Sequence, residues 1–81
     1  PASYTWGDAA LATMRAALLA GKPVIVHVQK KSGSTHFAVV YGFTGGALDA
    51  ANFCILDPGS ESRTTLADLL AVYPNIIKTL Y

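Results

Sequence analysis

Short connections between successive apolar runs constrain the fold of this chain more than any other feature of its sequence. Runs rich in β-branched and aromatic residues cover residues 24–30, 36–43 and 52–56. This composition is typical of strands, and the segments between the runs have the composition of turns. A parallel crossover needs a dozen or more residues, so we expect strands this close in sequence to pair antiparallel.

A helix is predicted before the first strand. Leucines and a methionine recur at helical spacing over residues 8–20, and alanine fills most of the remaining positions. Thr5 or Asp8 can cap the first turn, since both side chains accept hydrogen bonds from free backbone amides. Gly21 and Pro23 end the helix, because glycine tolerates left-handed geometry and proline cannot continue a helix.

The end of the chain predicts a second helix and a fourth strand. Thr65 followed by Asp68 resembles a capping box, and the helix that it starts ends before Pro74. Residues 76–81 are another apolar run, which we interpret as a strand. The predicted fold is therefore of the α+β class, with an antiparallel sheet of about four strands and two helices.

Composition indicates that this fold is incomplete by itself. The 81 residues make one domain at most, yet 52% of them are hydrophobic and only 14% are charged, against about 25% charged in typical soluble domains. An apolar excess of this size indicates a missing covering layer. We expect that layer to be a partner chain, further copies in an oligomer, or the rest of a larger domain to which residues 1–81 belong.

Charge and cysteine content argue against several function classes. The net charge of +1 is spread along the sequence, and the one basic doublet, Lys30-Lys31, is interpreted as a solvated strand edge, so nucleic acid is not an expected partner. No apolar run reaches the roughly 18 residues of a membrane span. The single cysteine, Cys54, excludes an internal disulfide and a zinc site of paired cysteines. We expect no metal or other cofactor.

A histidine and an aspartate form the candidate site. If the second and third strands pair as a hairpin closed around residues 45–47, the simplest register sets His36 opposite Asp57. Directly opposed residues lie close enough for an imidazole to hydrogen-bond a carboxylate. That arrangement suits a general base and the residue that orients it. His27, in the middle of the first strand, is expected to be structural.

Three segments, taken in order, resemble one branch of the papain-like cysteine peptidases, the branch similar to bacteriocin leader peptidases. They are Gly-Lys-Pro-Val-Ile at residues 21–25, His-Phe-Ala-Val-Val-Tyr-Gly at residues 36–42 and Asp-Pro at residues 57–58. The similarity covers residues 20–59 closely and matches the second half of such a domain. It implies a bacterial hydrolase of peptide or amide bonds, secreted or in the cell envelope, with His36 as general base and Asp57 as its orienting carboxylate.

The nucleophile of that family has no counterpart in this sequence. In the family a cysteine begins a helix in the first half of the domain, preceded by an oxyanion-hole glutamine, whereas residues 1–35 here contain no cysteine. Cys54 opposes Val39 in the simplest register, so its side chain points to the sheet face opposite His36 and Asp57. We expect Cys54 to be a small buried hydrophobe and the isolated chain to be inactive, with the nucleophile upstream or absent.

Three hypotheses follow from these observations. In the first, the missing half of a peptidase domain supplies the cysteine and the substrate is a peptide. In the second, a catalytically inactive papain-like module binds a peptide or a partner subunit in the retained cleft. In the third, the strand similarity is generic, and His36 and Asp57 are a surface pair worth under about 1 kcal/mol. A hydrogen-bonded pair beside an open groove would argue against the third hypothesis.

Overall fold

One antiparallel sheet and two helices make up the fold. The computed structural model describes residues 2–3 and 7–81 of the chain. In chain order, the elements of those residues are β1 (Ala2–Ser3), α1 (Gly7–Leu19), β2 (Val24–Gln29), β3 (Thr35–Phe43), a 3-10 turn (Ala50–Asn52), β4 (Phe53–Leu56), α2 (Leu66–Val72) and β5 (Asn75–Leu80). The strands are all paired antiparallel, in the order β1-β5-β2-β3-β4. The predicted α+β class is confirmed, with β1 adding two residues at one edge.

The helix ends follow from local chemistry. After α1 the chain turns at Gly21, whose φ of 81° is the left-handed conformation that glycine adopts without strain. Asp8 lies inside α1, and Thr5, the other predicted cap, is outside the described residues. The predicted capping box starts α2: the Thr65 hydroxyl accepts from the Asp68 amide, and the Asp68 carboxylate accepts from the Thr65 amide.

Both helices pack on the same side of the sheet, which we call the covered face. On β2 the inward positions Val24, Val26 and Val28 are fully buried, as expected for residues that alternate between two faces. They join one apolar core with residues of both helices and of the other strands. The largest fully buried apolar side chains of this core are Phe53, Met14, Leu66 and Leu69.

The opposite side of the sheet, the open face, has no helix packed on it in the described part of the chain. Its large apolar side chains are well exposed: Ile25 by 42%, Phe37 by 48%, Tyr41 by 55% and Leu56 by 63%. The apolar excess of the sequence is therefore concentrated on one surface. Neither helix of the described residues is both long enough and apolar enough to span a membrane.

The strand pairing corrects the simplest register. Val39 pairs with Leu56 and not with Cys54, so β4 is displaced by two residues from the predicted position. The cause is the connection between the strands, which is longer than a tight hairpin. The 3-10 turn, capped by the Asp49 side chain, lengthens it, and the Thr44 amide closes it on the Asn52 carbonyl at 2.8 Å. Beside the turn, where Phe43 pairs with Phe53, the displacement from the predicted register is three residues, and a bulge between residues 40 and 42 reduces it to two.

The lysine doublet also differs from its interpretation as a solvated strand edge. Because β2 lies between β5 and β3, its end is not an edge of the sheet. Lys31 is exposed, as expected. Lys30 is half-buried and places its ammonium 5.2 Å from the centre of the Tyr73 ring, a cation–π distance.

Candidate active site at the rim of the covered face

His36 projects from β3 on the covered face, near the strand end where the core stops. It alternates with the outward Phe37 and shares its face with the buried Ala38. The His36 side chain remains 21% exposed. Its ring stacks on Tyr73, with centroids 5.2 Å apart and planes 18° from parallel. The imidazole is thus held on one ring face and is still reachable from solvent.

Asp57 lies directly after β4 and meets His36. His36 Nε2 donates to Asp57 Oδ1 at 2.6 Å, and the Asp57 side chain is fully buried. In the observed register the two residues are diagonal and not directly opposed, and the long imidazole closes the gap. The proximity expected from the sequence is therefore present, although the register from which it was argued is wrong.

The turn after β4 prepares the carboxylate for this contact. Proline at position 58 cannot donate to a ladder, so the strand ends and the chain turns over residues 57–60. Asp57 Oδ1 accepts a second hydrogen bond, at 2.8 Å, from the Gly59 amide. On the other side of the carboxylate, Arg63 Nε lies 3.3 Å from Asp57 Oδ2.

These contacts keep Asp57 ionised. Burial raises the pKa of its carboxyl group, but the hydrogen bonds from His36 and from the Gly59 amide, together with the charges of His36 and Arg63, outweigh burial. The net effect is a pKa below the ordinary value of 3.8. An ionised carboxylate only accepts hydrogen bonds, so Nε2 of His36 carries the proton of this contact, and the neutral form of the ring that it favours is the Nε2–H tautomer. The lone pair of His36 is then on Nδ1.

Sequence reasoning missed the residues that surround the pair. Gly59 lies against the ring: a Cβ there would be 2.9 Å from His36 Cε1 and 3.3 Å from Asp57 Oδ1. Arg63 contacts the carboxylate, and its guanidinium lies 5.7 Å from the centre of the Tyr73 ring. The one signal available was the Asp-Pro-Gly turn composition, since no periodicity or motif marks a loop arginine or an aromatic that follows a helix.

Cys54 is on the other side of the sheet from this site. On β4 the inward residues are Phe53 and Ile55, so Cys54 shares the open face with Leu56. Its side chain is half-buried, which corrects the expectation of a buried hydrophobe. The reason is that the open face lacks the helical cover that buries its strand neighbours. A thiol at this position cannot reach His36 through the sheet.

The second histidine has a different environment. His27 lies on the open face and stacks on Phe37, with ring centroids 4.1 Å apart and planes 8° from parallel. Within the described residues it has no carboxylate partner. The chain therefore offers one imidazole with an acid and one without.

Three cavities run along the open face, and Val39 lines all of them. The one that reaches the candidate site has a volume of about 540 Å³. Its floor includes Tyr41 and Leu56, and Asp57 and Arg63 contribute to one end. His36 lines none of these three cavities, so the groove expected beside the pair borders the carboxylate turn and not the imidazole.

In the described part of the chain, no three histidine, cysteine or acidic side chains are grouped so that they could hold a metal ion. Comparison with protein-family models, with curated proteins and with solved structures finds no match to this chain.

Proposed function

We propose that this chain is the half of a cysteine-type peptidase or amide hydrolase domain that supplies the general base and its orienting carboxylate. His36 is the base and Asp57 the orienting residue. One observation carries the proposal: His36 Nε2 is 2.6 Å from a fully buried carboxylate, which leaves the other ring nitrogen to receive a proton. An exposed surface pair would not have a desolvated acid, and this favours a functional role over the generic pair.

The ring nitrogen of His36 that contacts Asp57 determines which nitrogen can act as the base. With its proton on Nε2 and Asp57 beside it, His36 can remove a proton from a thiol through Nδ1. The thiolate attacks the carbonyl carbon of a peptide or amide, and the imidazolium that results is stabilised by the Asp57 charge. His36 then gives the proton to the amine as the C–N bond breaks, which leaves a thioester. Water, deprotonated by His36, cleaves the thioester to release the acid and return the thiol. Each step needs the imidazole held in one orientation, as Tyr73 and Asp57 hold it here.

The thiol in this scheme comes from outside residues 1–81. Cys54 is separated from His36 by the sheet, because the two residues lie on opposite faces. By the resemblance, the cysteine begins a helix in the first half of the parent domain. The isolated chain is therefore inactive, and the partner that completes the site is that first half or another chain.

Thiol labelling of the full-length protein tests the proposal. A peptide-based thiol alkylating probe should modify one cysteine upstream of Pro1 rapidly, because a base lowers the pKa of the nucleophile. His36→Ala should abolish this rapid labelling, and Asp57→Ala should slow it. His27→Ala is the matched control and should leave labelling unchanged, since His27 stacks on Phe37 and contacts no acid among residues 2–3 and 7–81. Labelling that ignores His36, or no reactive cysteine, would reject the enzyme.

A second candidate is a catalytically inactive module of the same type that binds a peptide or a partner subunit. The open face favours it: four large apolar side chains are exposed there, and three adjoining cavities meet at Val39. Replacing Ile25 and Leu56 by serine should then weaken binding or dissociate an oligomer in sedimentation experiments, while His36→Ala has no effect. The same variants would leave His36-dependent labelling intact if the enzyme hypothesis is correct.

A further inference from the structure

The His36–Asp57 contact belongs to a closed ring of four contacts. His36 Nε2 is 2.6 Å from Asp57 Oδ1, and Asp57 Oδ2 is 3.3 Å from Arg63 Nε. The Arg63 guanidinium is 5.7 Å from the centre of the Tyr73 ring, and that ring stacks on His36 at 5.2 Å. Each member is therefore restrained by two others, and Arg63, like His36, contacts both the acid and the stacking ring.

Gly59 closes the same assembly from the side of the turn. A Cβ on Gly59 would lie 2.9 Å from His36 Cε1, a separation that real Cβ atoms do not show, and 3.3 Å from both His36 Nε2 and Asp57 Oδ1. The backbone does not explain the glycine, since its φ lies outside the left-handed region in which Gly21, Gly33 and Gly45 are found. Space explains it: any side chain at position 59 would push against the atoms of the hydrogen bond.

Arg63 is poorly suited to a purely structural role. Its Nη1 atom and Asp57 Oδ2 are both buried, and neither has an aligned hydrogen-bond partner in the described residues. The Arg63 side chain as a whole is 21% exposed, but a buried donor without a partner, such as its Nη1 atom, costs stability. Its contact with Asp57 is therefore made through charge, at ion-pair distance, and it acts on the carboxylate that faces His36.

We propose that Gly59 and Arg63 are positioning residues that fix the Asp57 carboxylate against His36 Nε2, Gly59 by leaving room for the imidazole edge and Arg63 by holding the second carboxylate oxygen. This inference deepens the proposed function, and its catalytic consequence rests on that function. The geometry it concerns does not, because the hydrogen bond exists in the chain whether or not a nucleophile is supplied. Neither residue contacts the reacting atoms.

Nuclear magnetic resonance of the ¹⁵N-labelled 81-residue chain tests the inference without any activity. The His36 Nε2 proton should give a slowly exchanging low-field signal, because it is bonded to a buried carboxylate. Gly59→Ala and Arg63→Gln should each abolish that signal, and Arg63→Lys should retain part of it. The ring signals of His27 serve as an internal reference in every spectrum and should not move.

Two matched variants separate positioning from general damage. Gly46→Ala adds a Cβ where nothing lies within 4 Å, and Arg15→Gln removes the same charge from α1, where Arg15 bonds the Gly46 carbonyl. Both should keep the His36 signal. The inference is overturned if Arg63→Gln retains the signal in full, or if its loss is accompanied by movement of the His27 ring signals. If Gly59→Ala does not fold, Arg63→Gln alone decides.

The full-length protein distinguishes failure of this inference from failure of the proposed function. If both hold, Arg63→Gln lowers kcat for peptide hydrolysis by a larger factor than it changes KM, because the proposed role of Arg63 is to orient the base through Asp57. If the protein has no His36-dependent activity but the His36 signal still depends on Gly59 and Arg63, the positioning role stands and the peptidase assignment falls. If activity depends on His36 but neither variant changes the His36 signal, the peptidase assignment stands and the positioning role falls.

Discussion

The two histidines lie on neighbouring strands, but their polar surroundings differ. His27 and His36 each stack on a ring, Phe37 and Tyr73 respectively. His27 is on the open face, with no acid in contact among the described residues, and His36 is on the covered face against the buried Asp57. The comparison shows that the face of the sheet sets the surroundings of each imidazole: among the described residues, the buried carboxylate that accepts from several fixed donors lies on the covered face.

The largest expected effect compares the two faces directly. Phe53 and Leu56 are both on β4, but Phe53 is 1% exposed and Leu56 is 63% exposed. Phe53→Ala should lower the free energy of unfolding by about 3–5 kcal/mol, since it leaves a cavity in the core. Leu56→Ala should change it by about 0.5 kcal/mol or less. Urea denaturation measures both free energies of unfolding. Similar decreases in the two variants would show that Leu56 is buried against something on the open face.

The second prediction concerns the acid that distinguishes the histidines. Asp57→Asn should lower the free energy of unfolding by about 1–3 kcal/mol, because it removes the charged acceptor of His36 and the counter-charge of Arg63. Asp49→Asn is the matched control. Asp49 caps the 3-10 turn, and asparagine caps a helix as well as aspartate does. The Asp49→Asn variant should therefore have nearly the same free energy of unfolding as the parent chain. Equal effects would mean that the buried contact adds nothing.

The third prediction is the pH dependence of unfolding. The pKa of Asp57 is lowered in the folded chain, and so is that of Asp68, whose carboxylate accepts hydrogen bonds from the Thr64 and Thr65 amides. The unfolded chain therefore binds protons more tightly. The resulting stability is fully present above about pH 4, the unfolded pKa of aspartate, and is lost as pH falls through the folded values.

Denaturation series between neutral and acidic pH measure this dependence. The Asp57→Asn variant should show a shallower loss of stability below about pH 4 than the parent chain, because one of the two contributing carboxyl groups is absent. A steeper or unchanged slope would contradict the lowered pKa of Asp57. The Asp49→Asn variant should follow the parent chain.

The smallest expected effect is at Cys54. Because its half-buried thiol lies on the open face, it should react with a small alkylating reagent at a rate that His36→Ala leaves unchanged. A lower rate in the His36 variant would mean that His36 activates the Cys54 thiol. Cys54 would then again be a candidate nucleophile. Mass spectrometry of the labelled 81-residue chain measures the rate.

How far the sequence predicts this molecule depends on the range of the interactions involved. The capping box at Thr65 and the turn at Gly21 are local, and both were predicted from neighbouring residues. The antiparallel sheet followed from short connections, which limit how strands can pair. The register was wrong by two residues, because the stability of a 3-10 turn and of a bulge depends on packing that one-dimensional patterns do not contain.

The candidate site shows the same division. His36 and Asp57 were identified from strand ends and from the family resemblance, and the structure brings them together. Gly59, Arg63 and Tyr73 were missed because each acts through a spatial contact across separate elements. A glycine needed for space looks in sequence like a glycine needed for a turn, and only the distance to the imidazole separates the two.

The sheet order has a geometric consequence for any longer protein that contains this chain. β1 pairs with β5, so residue 2 lies at the margin of the sheet remote from β4, and β3 is three strand spacings away. At roughly 4.8 Å per spacing, this is about 14 Å. An extended segment of about five residues spans that distance. A polypeptide joined ahead of Ala2 therefore has to cover the width of β5 and β2 before any group it carries can approach Nδ1 of His36.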